Sequence, residues 1–234
     1  VSRKAPPGSV SRRREIGFQA TESSGRVSGI LEIPEGARSL YVFGHGAGAG
    51  MRHTFMEAAA EGLSRRGIAT LRYDFPYMEA GRRGPNPQPV LLKTVRSAVA
   101  EAARLAPDLP LLAGGKSMGG RMTSLAAATD ALPGVRGLVF FGFPLHAAGR
   151  PSAERGAHLA DVRLPMLFLQ GTRDKLADLE LLRPLLRDVR PSPVLHVVEG
   201  ADHGFHVPKR SGRTDAQVLD ELCEGVATWT ATLA

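Results

Sequence analysis

The chain has 234 residues, 43% of them hydrophobic, which suits one well-buried domain and is short for two. Its formal charge of +7 comes with a single cysteine, Cys223, so an internal disulfide framework is excluded. No stretch has the 18 or more apolar residues of a membrane span, and no zinc-finger or aromatic RNA-binding motif accompanies the basic residues. A soluble cytoplasmic protein with no nucleic-acid or membrane partner is expected.

Val1 to Arg14 is basic, carries Arg12-Arg13-Arg14, and lacks the apolar centre of a secretory signal. Residues 1–13 are expected to be a flexible leader and 14–234 a single domain. Glu15 to Thr21 and Arg26 to Ile33 alternate roughly with period two around Ser23-Ser24-Gly25, the pattern of a hairpin. Ser39 to Phe43 reads as a buried strand that empties into Gly44-His45-Gly46-Ala47-Gly48-Ala49-Gly50. A dinucleotide fingerprint would need a differently placed third glycine and an acidic residue about twenty positions on, and both are missing. His53 to Arg66 is a predicted helix stopped by Gly67, and Ile68 to Tyr73 the next strand. Asp74, at that strand's end, is expected to brace a neighbouring loop. Met78 to Pro89, with Arg82-Arg83, is an irregular loop ahead of an amphipathic helix over 90–105.

Leu109 to Arg121 (LPLLAGGKSMGGR) organises the rest. A short apolar strand runs into Gly115-Lys116-Ser117-Met118-Gly119, and a helix follows at once. This is the G-x-S-x-G elbow, in which a serine sits on a tight strand-to-helix turn and glycines let the two backbones approach. A phosphate-binding loop ending in Gly115-Lys116-Ser117 would need glycine at position 110, where Pro110 stands.

Downstream, Val135 to Phe141 is a strand ending at Gly142-Phe143-Pro144-Leu145-His146. The stretch from Ala147 to Val162 is too short for a helical cap. Leu164 to Gln170 is the next strand, with Gly171-Thr172-Arg173-Asp174 directly after it. A helix over 176–189 leads to a last strand, Val194 to Val198, then Asp202-His203, and Asp215 to Leu233 closes the chain as a helix. Strands and helices alternate and the strands are nearly continuous apolar runs. An α/β fold with a mostly parallel sheet covered on both faces is therefore expected.

Ser117, Asp174 and His203 each fall just beyond a strand end, where ligands bind in such sheets, and in the order Ser, Asp, His. Ser117 is the expected nucleophile, His203 its general base, and Asp174 the carboxylate that orients His203; Asp202 is a poorer choice because it adjoins His203. Backbone amides of Met118 and Ala47 are the expected oxyanion donors, with Gly48 the neighbouring alternative. His45, Gly48, Phe143 and Leu145 are expected around the substrate. Lys116 either pairs with an acid or faces solvent. No cofactor or metal is called for, the partner is a small-molecule acyl substrate, and the oligomeric state is left open.

At Gly44–Gly48, Arg72–Pro76, Gly114–Arg121, Gly142–His146, Gln170–Asp174 and Asp202-His203 the sequence resembles the α/β-hydrolase superfamily. More narrowly it is similar to bacterial members of the testis-expressed protein 30 and NSL-complex subunit 3 family, which border on dienelactone-hydrolase-like proteins. The resemblance implies an eight-stranded sheet with an antiparallel second strand, no large cap domain, and the triad named above. Dienelactone hydrolases proper use a cysteine where this chain has Ser117. A carboxylesterase for small to medium acyl esters is the implied activity. A thioesterase or lactonase using the same triad, or a binding protein that kept the fold, are the alternatives.

Overall fold

A computed structural model of the protein describes residues 12–233. Eight strands form one sheet in the order β1-β2-β4-β3-β5-β6-β7-β8: β1 Arg12–Thr21, β2 Gly25–Ile33, β3 Ser39–Gly44, β4 Ile68–Tyr73, β5 Leu111–Lys116, β6 Val135–Phe141, β7 Met166–Gly171 and β8 Val194–Val198. β2 pairs antiparallel with both β1 and β4, and every pairing from β4 across to β8 is parallel. All residues of β3, β4 and β7 are buried, as helices on both faces require of central strands. β1 is an edge strand whose first four residues, Arg12 to Glu15, are exposed and charged, a composition that discourages edge-to-edge pairing.

Most of the expected leader, residues 1–11, lies outside the described residues. Arg12 and Arg13 do not belong to it: they pair with Ile33 and Glu32 within the hairpin.

Among the described residues six α-helices flank the sheet: α1 Thr54–Ser64, α2 Pro76–Glu79, α3 Gln88–Leu105, α4 Met118–Thr129, α5 Leu179–Arg187 and α6 Asp215–Thr230. The core divides accordingly. One cluster joins Val95, Val99, Met122, Phe140, Phe168 and Leu182 beneath α3, α4 and α5. The other joins Met56, Leu63, Phe141, Leu169, Leu222 and Trp229 beneath α1 and α6. Between β6 and β7 the only regular element is a 3-10 segment, Glu154–Asp161, so among the described residues no large inserted cap domain roofs the carboxyl ends of the strands. Among the described residues no helix is long and apolar enough to cross a membrane.

Candidate active site

β5 ends at Lys116 and α4 begins at Met118, so Ser117 makes the whole turn by itself, with φ 50° and ψ −115°. Holding a side chain there costs on the order of 1–3 kcal/mol, which surrounding contacts must offset. Glycines make the turn feasible: a Cβ on either Gly115 or Gly119 would come 2.3 Å from the Gly44 carbonyl oxygen. The backbones of β3, β5 and α4 therefore touch directly, and the Ser117 amide is fixed by donating to the Phe141 carbonyl at 3.1 Å.

The ends of β7 and β8 bring the two partners in. His203 Nε2 lies 2.9 Å from Ser117 Oγ, and His203 Nδ1 lies 2.7 Å from Asp174 Oδ2. With the Nδ1 proton donated to the carboxylate, Nε2 presents its lone pair to the hydroxyl. The Asp174 side chain is fully buried and accepts two further hydrogen bonds, from the Leu176 amide at 2.7 Å and from Gln170 Nε2. Gln170 is itself oriented, because its Oε1 accepts from the Phe143 amide at 2.9 Å. Asp202 takes no part in this array. Its carboxylate accepts from the Gly204 and His206 amides and shapes the turn on which His203 sits.

The glycine-rich loop after β3 forms the facing wall. His45 is completely buried: Nδ1 donates to the Gly46 carbonyl at 2.7 Å, and Nε2 accepts from the Phe75 amide at 3.2 Å. Because Nε2 is an acceptor, the imidazole is neutral and makes no ion pair with Asp74, 3.6 Å away. Burial pushes the His45 pKa below and the Asp74 pKa above their ordinary values, in keeping with an uncharged histidine. Asp74 braces the loop, as expected, by accepting the Met51 amide at 2.7 Å. Tyr77 Oη accepts the Gly48 amide at 3.0 Å, which removes Gly48 from the free donors. The Ala47 amide and the Met118 amide, first of α4, have no acceptor among the described residues.

A cavity of about 640 Å³ opens over Ser117 and His203. Its walls come from the start of α1 (Phe55, Met56), the start of α6 (Leu219), and Leu176, Phe205 and Lys116. Four expectations about the pocket are corrected here. His45 is sealed beneath the loop, and Gly48 is not among the residues that line the cavity. Phe143 and Leu145 are fully buried in the opposite core cluster, where Phe143 packs edge-on against Phe140 and Phe168. Beyond β6 their side chains turn to the α4 face of the sheet, away from the cavity. Lys116 is corrected too: it neither faces solvent nor pairs with an acid within reach, and instead donates to the His203 carbonyl. Arg82 and Arg83 are exposed and do not line the cavity.

Residues 37–231 match the family described as alpha/beta hydrolase domain. The chain belongs to this family. Two Mycobacterium tuberculosis proteins, from strains H37Rv and CDC 1551, are each 33% identical over 186 residues. They carry a phosphoribosyl transferase name, and the match spans 78% of this chain but only 40% of theirs. Among solved structures, a dienelactone hydrolase from Anabaena variabilis superposes with a TM-score of 0.75 at 21% identity, covering 95% of this chain and 98% of that one. An α/β serine hydrolase without a lid from Xanthomonas campestris gives 0.71 at 20% identity, covering 97% and 98%. Est1E from Butyrivibrio proteoclasticus gives 0.71 at 15% identity, covering 94% and 98%. At these identities the structures establish a shared fold.

The site residues that sequence reading missed are Gln170, Tyr77, Phe55, Phe205 and Leu219. Gln170 is the penultimate residue of β7, four positions before Asp174, a spacing that gives no hint of its contact with the carboxylate. Tyr77 lies three positions beyond Asp74, and that shared segment was the one available signal. Phe55 and Leu219 sit on apolar helix faces that look like core positions, since the first turn of a helix can line a cavity without changing its pattern.

Proposed function

We propose that the protein is a serine hydrolase that cleaves small to medium acyl esters through an acyl-enzyme on Ser117. The observation that carries this reading is the continuous Ser117–His203–Asp174 hydrogen-bonded array at the floor of an apolar cavity. His203 Nε2 takes the Ser117 hydroxyl proton as Oγ bonds to the acyl carbon. The carbonyl oxygen becomes an oxyanion, to which the Ala47 and Met118 amides donate. Collapse breaks the bond to the alkoxy group, which leaves with the proton from Nε2. Water then attacks the acyl carbon, passes a proton to Nε2, and frees the acid as that proton returns to Oγ. Asp174 keeps the Nδ1 proton in place and stabilises the imidazolium formed in each half.

The lining supports an acyl substrate of modest size, since Phe55, Phe205, Leu176 and Leu219 offer apolar contact near Ser117. Within the family, Gly114–Arg121 and Asp202-His203 favour a place beside the testis-expressed protein 30 and NSL-complex subunit 3 relatives. A lone cysteine supports a cytoplasmic site of action. The test is hydrolysis of p-nitrophenyl acetate, butyrate and octanoate by the wild type, Ser117→Ala and His203→Ala. Turnover of the shorter esters by the wild type and background rates in both variants are expected. Folded wild type that turns over none of the three contradicts the reading.

A further inference from the structure

Lys116, the residue before the elbow serine, has a role that the triad description leaves out. Its side chain runs from the end of β5 toward the β8 loop, where Nζ donates to the backbone carbonyl of His203. The ammonium lies beside a pair of aromatic rings, 5.6 Å from the Phe55 centroid and 5.3 Å from the Phe205 centroid. Those two rings stack on each other, nearly parallel with centroids 5.9 Å apart, and so join α1, which carries Phe55, to the His203 loop, which carries Phe205. Room for the ammonium is made at Gly142, where φ is +66° and a Cβ would lie 2.9 Å from Lys116 Nζ and 3.4 Å from the His203 ring. A side chain with four rotatable bonds is thus committed to one half-buried arrangement whose polar contact is the residue carrying the imidazole.

We propose that Lys116 is a positioning residue: its ammonium, held against the stacked Phe55–Phe205 pair, fixes the backbone of His203 and so sets the reach of the imidazole to Ser117. This proposal rests on the hydrolase reading above. A charge-assisted bond to a carbonyl is roughly twice as strong as a neutral one, and the attraction of the rings is for a cation. The clamp therefore depends on the proton.

Burial lowers the Lys116 pKa to about 8, against the opposing pull of Asp174 and Asp202. The other ionisable groups around it are His203 itself and His206, whose own pKa is raised by its hydrogen bond to Asp215; His53, at the start of α1, lines the same cavity. The sign follows. Below pH 8 the ammonium is charged and the clamp is set; above it the amine is neutral, the clamp loosens, and the reactivity of Ser117 declines.

The experiment measures the rate of labelling by a fluorophosphonate probe against pH for the intact protein and for Lys116→Met, which keeps length and removes charge. A misplacement of about 1 Å costs on the order of 100-fold, so the variant is expected to lose roughly 10- to 100-fold in the maximal labelling rate at pH 7. The wild type is expected to decline through pH 8, and the variant to lack that limb. Phe55→Leu, which lets water reach the ammonium, is expected to move the limb to higher pH, and it serves alone if Lys116→Met does not fold. A rate within twofold of wild type with the same alkaline limb overturns the proposal. So does a faster rate, which would mean that the cation only repels the imidazolium. A wild type that is never labelled contradicts the hydrolase reading instead. The clamp is then judged from crystals of the variant: loss of the His203–Ser117 hydrogen bond supports it, and an unmoved His203 loop refutes it.

Discussion

Two loops face each other across Ser117, and they are built on different principles. The loop after β3 is held by buried groups: neutral His45 between the Gly46 carbonyl and the Phe75 amide, and Tyr77 on the Gly48 amide. The loop after β8 is held by ionic and charge-assisted contacts, with Lys116 on the His203 carbonyl, Asp174 on the ring, and the exposed His206–Asp215 pair at 2.6 Å. One side supplies fixed backbone dipoles, which serve best if nothing near them titrates. In the proposed reaction the other receives a proton and releases it on each turnover, and its imidazole is a quarter exposed. The site is thereby divided into a static half and a protonic half.

The largest break in that division is expected from Asp174→Asn, which leaves the shape of the protonic half but favours the wrong imidazole tautomer. Labelling of Ser117 should slow by about 10³- to 10⁴-fold, with thermal stability changed far less. A loss under tenfold would mean that another group orients His203. Next comes Gln170→Leu, which removes one donor from Asp174 and leaves the buried Phe143 amide without its acceptor. About 1–3 kcal/mol of stability should be lost in a denaturant titration, together with roughly tenfold in labelling rate. An unchanged rate would show that the Leu176 amide alone holds the carboxylate.

Why these positions differ in legibility is physical. The strands and Ser117, Asp174 and His203 were readable because each carries a local signature: an apolar run, a glycine-framed turn, or a carboxylate or imidazole just past a strand. The cavity was not, because its walls come from the first turns of α1 and α6, separated by more than 150 residues in the chain. Phe143 and Leu145 misled for the same reason. They follow a strand end, but the chain turns at Gly142 and sends both side chains into the α4 side of the core. His45 was correctly placed in the glycine loop and wrongly given to the substrate, since nothing local shows that both its nitrogens are taken by backbone.

Smaller effects sharpen the static half. Tyr77→Phe frees the Gly48 amide, at a cost of about 1 kcal/mol, and should leave the labelling rate within a few-fold of wild type; a large loss would give Tyr77 a direct role. A pH effect separate from both loops is expected at His158, whose pKa burial lowers from 6.5 to about 4 and whose Nε2 lies 2.7 Å from Ser124 Oγ. The unfolded chain binds this proton more readily, so the stability is present above pH 6.5 and is lost as the pH falls toward 4. Melting temperatures of His158→Gln between pH 7 and 4.5 should decline less steeply than those of the wild type, and parallel curves would exclude His158 as the source.

The most direct test of the whole account is where a fluorophosphonate attaches. After reaction, intact-mass measurement and peptide mapping should find one adduct per chain, on Ser117, absent from Ser117→Ala. An adduct on another residue, or none on folded wild-type protein under conditions that label a control esterase, would contradict the claim that Ser117 is an activated nucleophile.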